Sequence, residues 1–307
     1  MNQQFQSLTP AAQRAAADPS EAGVRPKPLG SASYAPLRAE IDVKDCPVEG
    51  KLPADLNGGF YATGPDCQYP PLAPGNIVFD GEGHVRMFRI KDGRVDYRSR
   101  YARTERYVAQ ENARRLLMPM YRNPALDDPS VRGLSRGTAN THVIHHKNLI
   151  LALKEDSPAV ALDLNTLATV DQRYTFDGQL PRDQPFTAHP KVCPKTGNLV
   201  AFGYEAEGFG SDVVALFEID KQGKKVWGAK IKVPYVGMLH DFAVTENHIA
   251  VFVVPLAIDR EQMKRGGIHW SWDNERRTYL GIMRRYGDGK DLFWIEGPTR
   301  CGTHMMG

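Results

Sequence analysis

Cysteine is scarce in this 307-residue chain. The four present (Cys46, Cys67, Cys193 and Cys301) are spread too widely for a C-x-x-C site, a count unremarkable for a reducing cytosol. No apolar run reaches the roughly 18 residues of a membrane span. The opening stretch MNQQFQSLTPAAQRAAADPS has neither the basic start nor the apolar core of a signal peptide. Neither sign of charge dominates, since 39 basic against 36 acidic residues leave a net charge of +3. No basic block interleaved with aromatics appears, which argues against a nucleic-acid partner. The expectation is a soluble cytoplasmic protein without stable membrane insertion, its oligomeric state left open.

What the chain does have is 41% hydrophobic residues, enough for a core, and 28 glycines and 22 prolines that imply many turns. Residues 1–30, rich in Ala, Gln and Pro, read as a flexible arm with a short helix at 10–17. Residues 31–307 read as one all-β domain, with order starting near Tyr34. Strands are expected at 77–79 and 85–90 around an Asp80-Gly81-Glu82-Gly83 turn, then at 94–103 after Lys91-Asp92-Gly93. A helix is expected over 109–118.

From residue 141 onward three segments share one layout: 141–176, 187–233 and 240–296. In each, an Asn precedes an apolar strand, and Asn148, Asn198 and Asn247 fall 50 and 49 residues apart. A period near fifty with four short strands per unit is the mark of a β-propeller blade. Two histidines take matching places in successive units: His189 in FTAHP and His240 in MLHDF, with His304 in CGTHM opening the next. Both His189 and His240 are expected in the innermost strands, where equivalent residues of successive blades converge on one axis. Separations of 51 and 64 residues rule out a zinc finger but suit one ligand per blade. An all-imidazole site suits iron, copper, zinc or nickel, and we read these three as ligands of a non-haem metal, with iron first. The first unit carries Asn140 and Thr141 at the matching place and offers no ligand. The remaining histidines (His84, His142, His145, His146, His248 and His269) lack matched spacing and read as structural or surface, and Cys301 as a buried thiol.

Seven stretches, taken in order, resemble the carotenoid cleavage oxygenases: VEGKLPADLNGGFYATGP, FDGEGHVRMF, SRYARTERY, TANTHVIHHKNLILALKED, FTAHPKVCPKTGNLVAFGY, MLHDFAVTENHIAVF and CGTHMM. The resemblance runs from about Tyr34 to the last residue and implies a seven-bladed propeller, here its N-terminal portion as an incomplete ring. It also implies iron(II) on the propeller axis and dioxygen-dependent cleavage of an alkene into two carbonyl fragments. Three of the family's four iron-binding histidines correspond to His189, His240 and His304; the fourth and two supporting glutamates would lie beyond residue 307. Glu155 in LALKED matches the remaining supporting glutamate, which would accept the imidazole N–H opposite the metal.

Within the family, carotenoid-cleaving members tend to carry an aromatic or apolar residue before that glutamate, where this chain has Lys154. Lys154 with Tyr101 resembles the pair by which stilbene-cleaving members hold a phenol hydroxyl. A lysine cation lowers the pKa of a nearby phenol, and the phenolate pushes electron density into the alkene. Phe60 is expected to stack on the substrate ring. The implied activity is cleavage of the central double bond of 4-hydroxystilbenes, of lignostilbene or resveratrol type, to two aromatic aldehydes. Alternatives left open are an apocarotenoid or isoeugenol-type alkene, an inactive fragment, and a metal-free propeller serving as a binding module.

Overall fold

The computed structural model describes residues 36–69, 76–300, 302 and 304. The arm expected over 1–30, the helix at 10–17 and the environment of Cys301 lie outside them. Two compact units divide the chain. The first comprises Met1–Ala152, Val160–Gln172 and Arg265–Gly267; the second comprises Leu153–Ala159, Arg173–Lys264 and Ile268–Gly307.

The first unit opens with strands β1 (Ile41–Val43), β2 (Gly58–Asp66), β3 (Glu82–Lys91) and β4 (Arg94–Tyr101), in sheet order β1-β4-β3-β2. β3 turns into β4 through Asp92 and Gly93, whose φ of 51° and 72° are the paired positive values of the tight hairpin turn that matches strand twist. A second sheet follows: β5 (His142–His146), β6 (Leu149–Leu153), β7 (Val160–Asp163) and β8 (Thr169–Asp171), in chain order. Alternation along β3 sends Val85 and Met87 inward, where they join Ile150, Ala152, Val160 and Leu162 in one apolar core. The fifty-residue layout therefore extends one unit upstream, but with its edge strand β1 supplied from before β2.

Three expectations fail in this unit. The segment expected as a strand at 77–79 is a 3₁₀ turn, Val78–Asp80, and Asp80–Gly83 is no hairpin tip, because Glu82 and Gly83 already pair with β2. Their carboxylates read as turn residues, yet Asp80 and Glu82 are buried against Arg106, itself only 1% exposed. Arg106 reaches Asp80 Oδ1 at 2.6 Å and Glu82 Oε1 at 3.0 Å, and Gln110 donates to Glu82 at 2.8 Å. The helix, α1, spans Glu105–Ala113 rather than 109–118. Thr104 caps its start by accepting from the Tyr107 N–H, and Arg114 ends it in the left-handed region at φ 53°. The Leu117 and Met118 amides then donate to the Gln110 side chain instead of to helical carbonyls.

The second unit holds two further sheets. β9 (Lys191–Val192), β10 (Leu199–Gly203), β11 (Val213–Ile219) and β12 (Lys225–Lys232) form a plain meander. β10 and β11 are buried at every residue, which is why LVAFG and VVALFEI read as unbroken apolar runs. The last sheet runs β13 (Phe242–Val244), β14 (His248–Val253), β17 (Thr278–Arg284), β18 (Phe293–Gly297). Between β14 and β17 lies a separate hairpin, β15 (Leu256–Ile258) with β16 (Trp270–Trp272), carrying the short helix α2 (Arg260–Lys264). Asn148, Asn198 and Asn247 each stand immediately before the second strand of their sheet. The described residues are thus all-β, in four-stranded antiparallel sheets of the kind that form propeller blades.

Substituting Arg106→Met leaves two carboxylates buried without their cation and is expected to cost about 3–5 kcal/mol of stability. Lys290→Ala, at a fully exposed ion pair, is expected to leave stability unchanged. Urea unfolding midpoints of the two variants against the parent check both.

Candidate metal centre

His189 and His240 do not lie within strands. Each stands two residues ahead of the first strand of its sheet, in an irregular segment leading into β9 and β13 respectively. This corrects the expectation of innermost-strand positions. A ladder residue has its backbone committed to a neighbour, whereas a residue just outside the ladder can turn its side chain past the sheet end. His189 is set by Thr187, which is fully buried, donates its N–H to Phe202 O at 2.7 Å and accepts the His189 N–H at 3.0 Å. His240 sits between Leu239 and Asp241, both buried.

The three imidazoles converge. Ring centroids lie 4.6 Å apart for His189–His240 and 4.8 Å for each pair with His304, every pair edge to face. One nitrogen from each ring falls within 4.8 Å of the others. Nε2 of His189 and Nε2 of His240 are 3.0 Å apart. Metal–imidazole bonds of about 2.0–2.1 Å meeting at a right angle would place two donor atoms about 2.9 Å apart, so the pair fits a shared ion.

Glu155 orients one of the rings. Its Oε1 is 2.9 Å from His240 Nδ1, and its side chain is buried. Burial pushes this carboxyl up, but its interaction with His240, the hydrogen bond foremost, and the nearby Lys154 outweigh it and hold the group below its usual range. An ionised carboxylate only accepts, so the His240 proton belongs on Nδ1 and the Nε2 lone pair faces the other two rings. Asp241 plays a looser part for His304, with Oδ2 at 3.4 Å from His304 Nδ1. Its other oxygen takes Lys191 Nζ at 2.6 Å and the Phe242 N–H at 2.8 Å. Sequence reasoning passed over Asp241. Its adjacency to His240 was the available signal.

The other expected site residues are placed as follows. Lys154 is buried beside Glu155 and bridges by its backbone to Phe186, one residue before Thr187. Tyr101 and Phe60 belong to the first unit. The Tyr101 hydroxyl donates to Asp66 Oδ1 at 2.5 Å, and burial together with that carboxylate pushes the phenol far above its usual value. That hydroxyl is therefore committed within its own unit. Phe60 is 63% exposed on β2, opposite Phe88. At the place in the first unit that matches His189 and His240, two residues before β5, Asn140 donates to the carbonyls of Phe79 and Gly81, each at 2.7 Å.

Four-stranded antiparallel sheets, three of them led in by a residue at one fixed offset, and a cluster of three histidines that could hold a metal ion, one of them bonded to a buried glutamate, define the class of protein. The family described as retinal pigment epithelial membrane protein matches residues 34–307, and the chain belongs to this family, that of the carotenoid cleavage oxygenases. It is 41% identical over 276 residues to resveratrol cleavage oxygenase 1 of Chaetomium globosum, covering 89% of this chain and 46% of that protein. It is also 41% identical over 276 residues to lignostilbene-alpha,beta-dioxygenase isozyme III of Sphingomonas paucimobilis, covering 88% of this chain and 56% of that one. The crystal structure of Pseudomonas brassicacearum lignostilbene dioxygenase superposes with a TM-score of 0.84 at 41% identity, over 90% of this chain and 58% of that structure. The chain spans about half the length of the curated relatives it matches. Among the described residues no helix is long and apolar enough to cross a membrane.

If the three histidines share an ion, adding cobalt(II) at a hundred times its dissociation constant is expected to raise stability by about 2.7 kcal/mol. Calorimetry should show that gain in the parent and its loss in His240→Ala.

Proposed function

We propose that this protein is an iron(II)-dependent dioxygenase that cleaves the central double bond of 4-hydroxystilbenes, giving two aromatic aldehydes. The observation that carries the reading is the meeting of His189, His240 and His304 with Glu155 fixing the His240 tautomer. Similarity to proteins named for lignostilbene and resveratrol cleavage supports the substrate class. Bound ferrous iron would supply the one-electron chemistry by which dioxygen reacts with an alkene. His189, His240 and His304 would hold it through neutral imidazole nitrogens, which suit iron. The substrates are then a small phenolic alkene and dioxygen.

Lys154 is the residue we assign to phenol activation. Its neighbour Glu155 ties it in sequence to the metal centre, and it is 4% exposed. A cation in so dry a place favours the ionised phenol, and the phenolate feeds electron density through the ring into the double bond. Tyr101, engaged by Asp66, and Phe60, largely exposed, have no catalytic part in this reading. The described cysteines Cys46, Cys67 and Cys193 are free thiols, which fits a reducing compartment such as the cytoplasm.

Iron content after anaerobic reconstitution with ferrous iron is expected to approach one per chain and to fall in Glu155→Gln. Oxygen uptake with a 4-hydroxystilbene is expected to drop by about two orders of magnitude in Lys154→Met, the range of a lost acid–base contribution. Methylating the substrate's 4-hydroxyl should abolish turnover. Equal rates on the hydroxy and methoxy compounds would remove the phenolate step from the reading.

A further inference from the structure

Asp241 stands directly after His240 and makes contacts that reach the other two histidine segments. Its side chain is 4% exposed, so a carboxylate there needs a cation and hydrogen bonds to offset its lost hydration. Oδ1 accepts from Lys191 Nζ at 2.6 Å and from the Phe242 N–H at 2.8 Å. Oδ2 lies 3.4 Å from His304 Nδ1. Lys191 is two residues beyond His189 and opens β9, where it pairs with Val200 of β10. One buried carboxylate therefore connects the segments of His189, His240 and His304.

The approach of Lys191 is guided from both ends. Its side chain, 32% exposed, carries the ammonium to 5.7 Å from the centroid of the Phe242 ring. Phe242 is fully buried and packs edge to face on Phe202 at 5.1 Å. The Phe202 carbonyl in turn accepts the Thr187 N–H, and Thr187 accepts that of His189. The ammonium thus has an aromatic ring beside it and a desolvated carboxylate ahead of it, which holds a long side chain in place. The nearby pair of Lys195 with Glu246 is different in kind, because both side chains are largely exposed and their attraction is screened.

We propose that Lys191 and Asp241 are positioning residues of the metal centre. Their ion pair fixes the separation of His189 from His240 and holds Asp241 where its second oxygen orients His304. The proposal rests on the reading of the three histidines as metal ligands. Neither residue supplies a donor atom to the ion in it, since Lys191 has no lone pair to give and Asp241 spends one oxygen on Lys191 and the Phe242 amide. The pair acts on the metal only through the rings it places. Losing it changes the geometry of the ligand set and leaves the number of imidazoles unchanged. Groups that orient ligands in this way commonly contribute about ten- to a hundred-fold in metal affinity.

The test titrates cobalt(II) into the whole chain and follows its visible d–d absorption, which reports affinity and ligand geometry separately. Asp241→Asn keeps an oxygen for the Phe242 N–H but removes the charge paired with Lys191. It is expected to weaken cobalt binding about ten-fold or more and to shift the absorption band, and Lys191→Met is expected to do the same. Because the two residues act as a unit, the double variant should bind no worse than the weaker single one. Lys191→Arg, which keeps the cation, should restore the parent's affinity and band. Lys195→Gln, at the exposed pair, should alter neither. An Asp241→Asn protein that bound cobalt as tightly as the parent would overturn the proposal. So would weaker binding with an unshifted band, which would make the pair a brace of the fold alone. Where Asp241→Asn folds poorly, Lys191→Met against Lys191→Arg decides by the same two readouts. A parent that bound no cobalt would instead remove the histidine reading, and this proposal with it.

Discussion

The hydrogen bond between Glu155 and His240 is the contact on which the centre turns. Three imidazoles brought together in water would share protons and repel once charged. A buried carboxylate behind one ring removes that ambiguity by settling where its proton sits. The bond also spans 85 residues of sequence, tying the turn after β6 to the lead-in of β13. Lys154 belongs to the same turn, and its backbone bridge to Phe186 docks that turn beside Thr187, the residue that sets His189. One short segment, 154–157, therefore has a hand in placing two of the three histidines.

Placement just ahead of a strand gives both order and freedom. The sheets fix where β9 and β13 start, through pairing with β10 and β14. Two residues earlier the chain has left the ladder, and side-chain caps such as Thr187 take over. Asn140 shows the same offset put to a structural use, because its amide is spent on two backbone carbonyls. One offset thus carries a clustered histidine in two sheets and a brace in another.

Much of this was legible in the sequence, for physical reasons. Apolar strands recur at a fifty-residue period because the central strands carry the core, buried throughout in β10 and β11 and in alternation in β14, and the asparagines before β6, β10 and β14 mark the turn between first and second strand each time. The histidines stood out because two of them fall a few residues ahead of these asparagines, nine for His189 and seven for His240. What escaped were effects of tertiary neutralisation. Asp80 and Glu82 look like a solvated turn until Arg106 arrives from α1 to bury them. The limits of α1 depended on Thr104 as cap and on Gln110 drawing in the Leu117 and Met118 amides, neither of which shows as periodicity. The β15–β16 hairpin was seen only as a gap between apolar strands. Asp241 was overlooked beside His240, and nothing in the pattern around Tyr101 announced that its hydroxyl would donate to Asp66.

That hairpin bears on how the last sheet assembles. β10 and β11 are joined across residues 204–212, whereas β14 must find β17 across residues 254–277. Closing a longer loop costs about 0.6 kcal/mol for each doubling of its length, and it delays the pairing that would repay it. The insertion can shorten that search, because it closes on itself. Asp259 N–H donates to His269 O at 3.0 Å, and the Gln262 amide bridges the carbonyls of Ile268 and Trp270 at 3.0 and 2.9 Å. Once formed, it draws the ends of β14 and β17 together and leaves a far smaller span to close. The sheet that His240 leads into thus has its closing strands brought together by a hairpin that supplies none of the three clustered histidines.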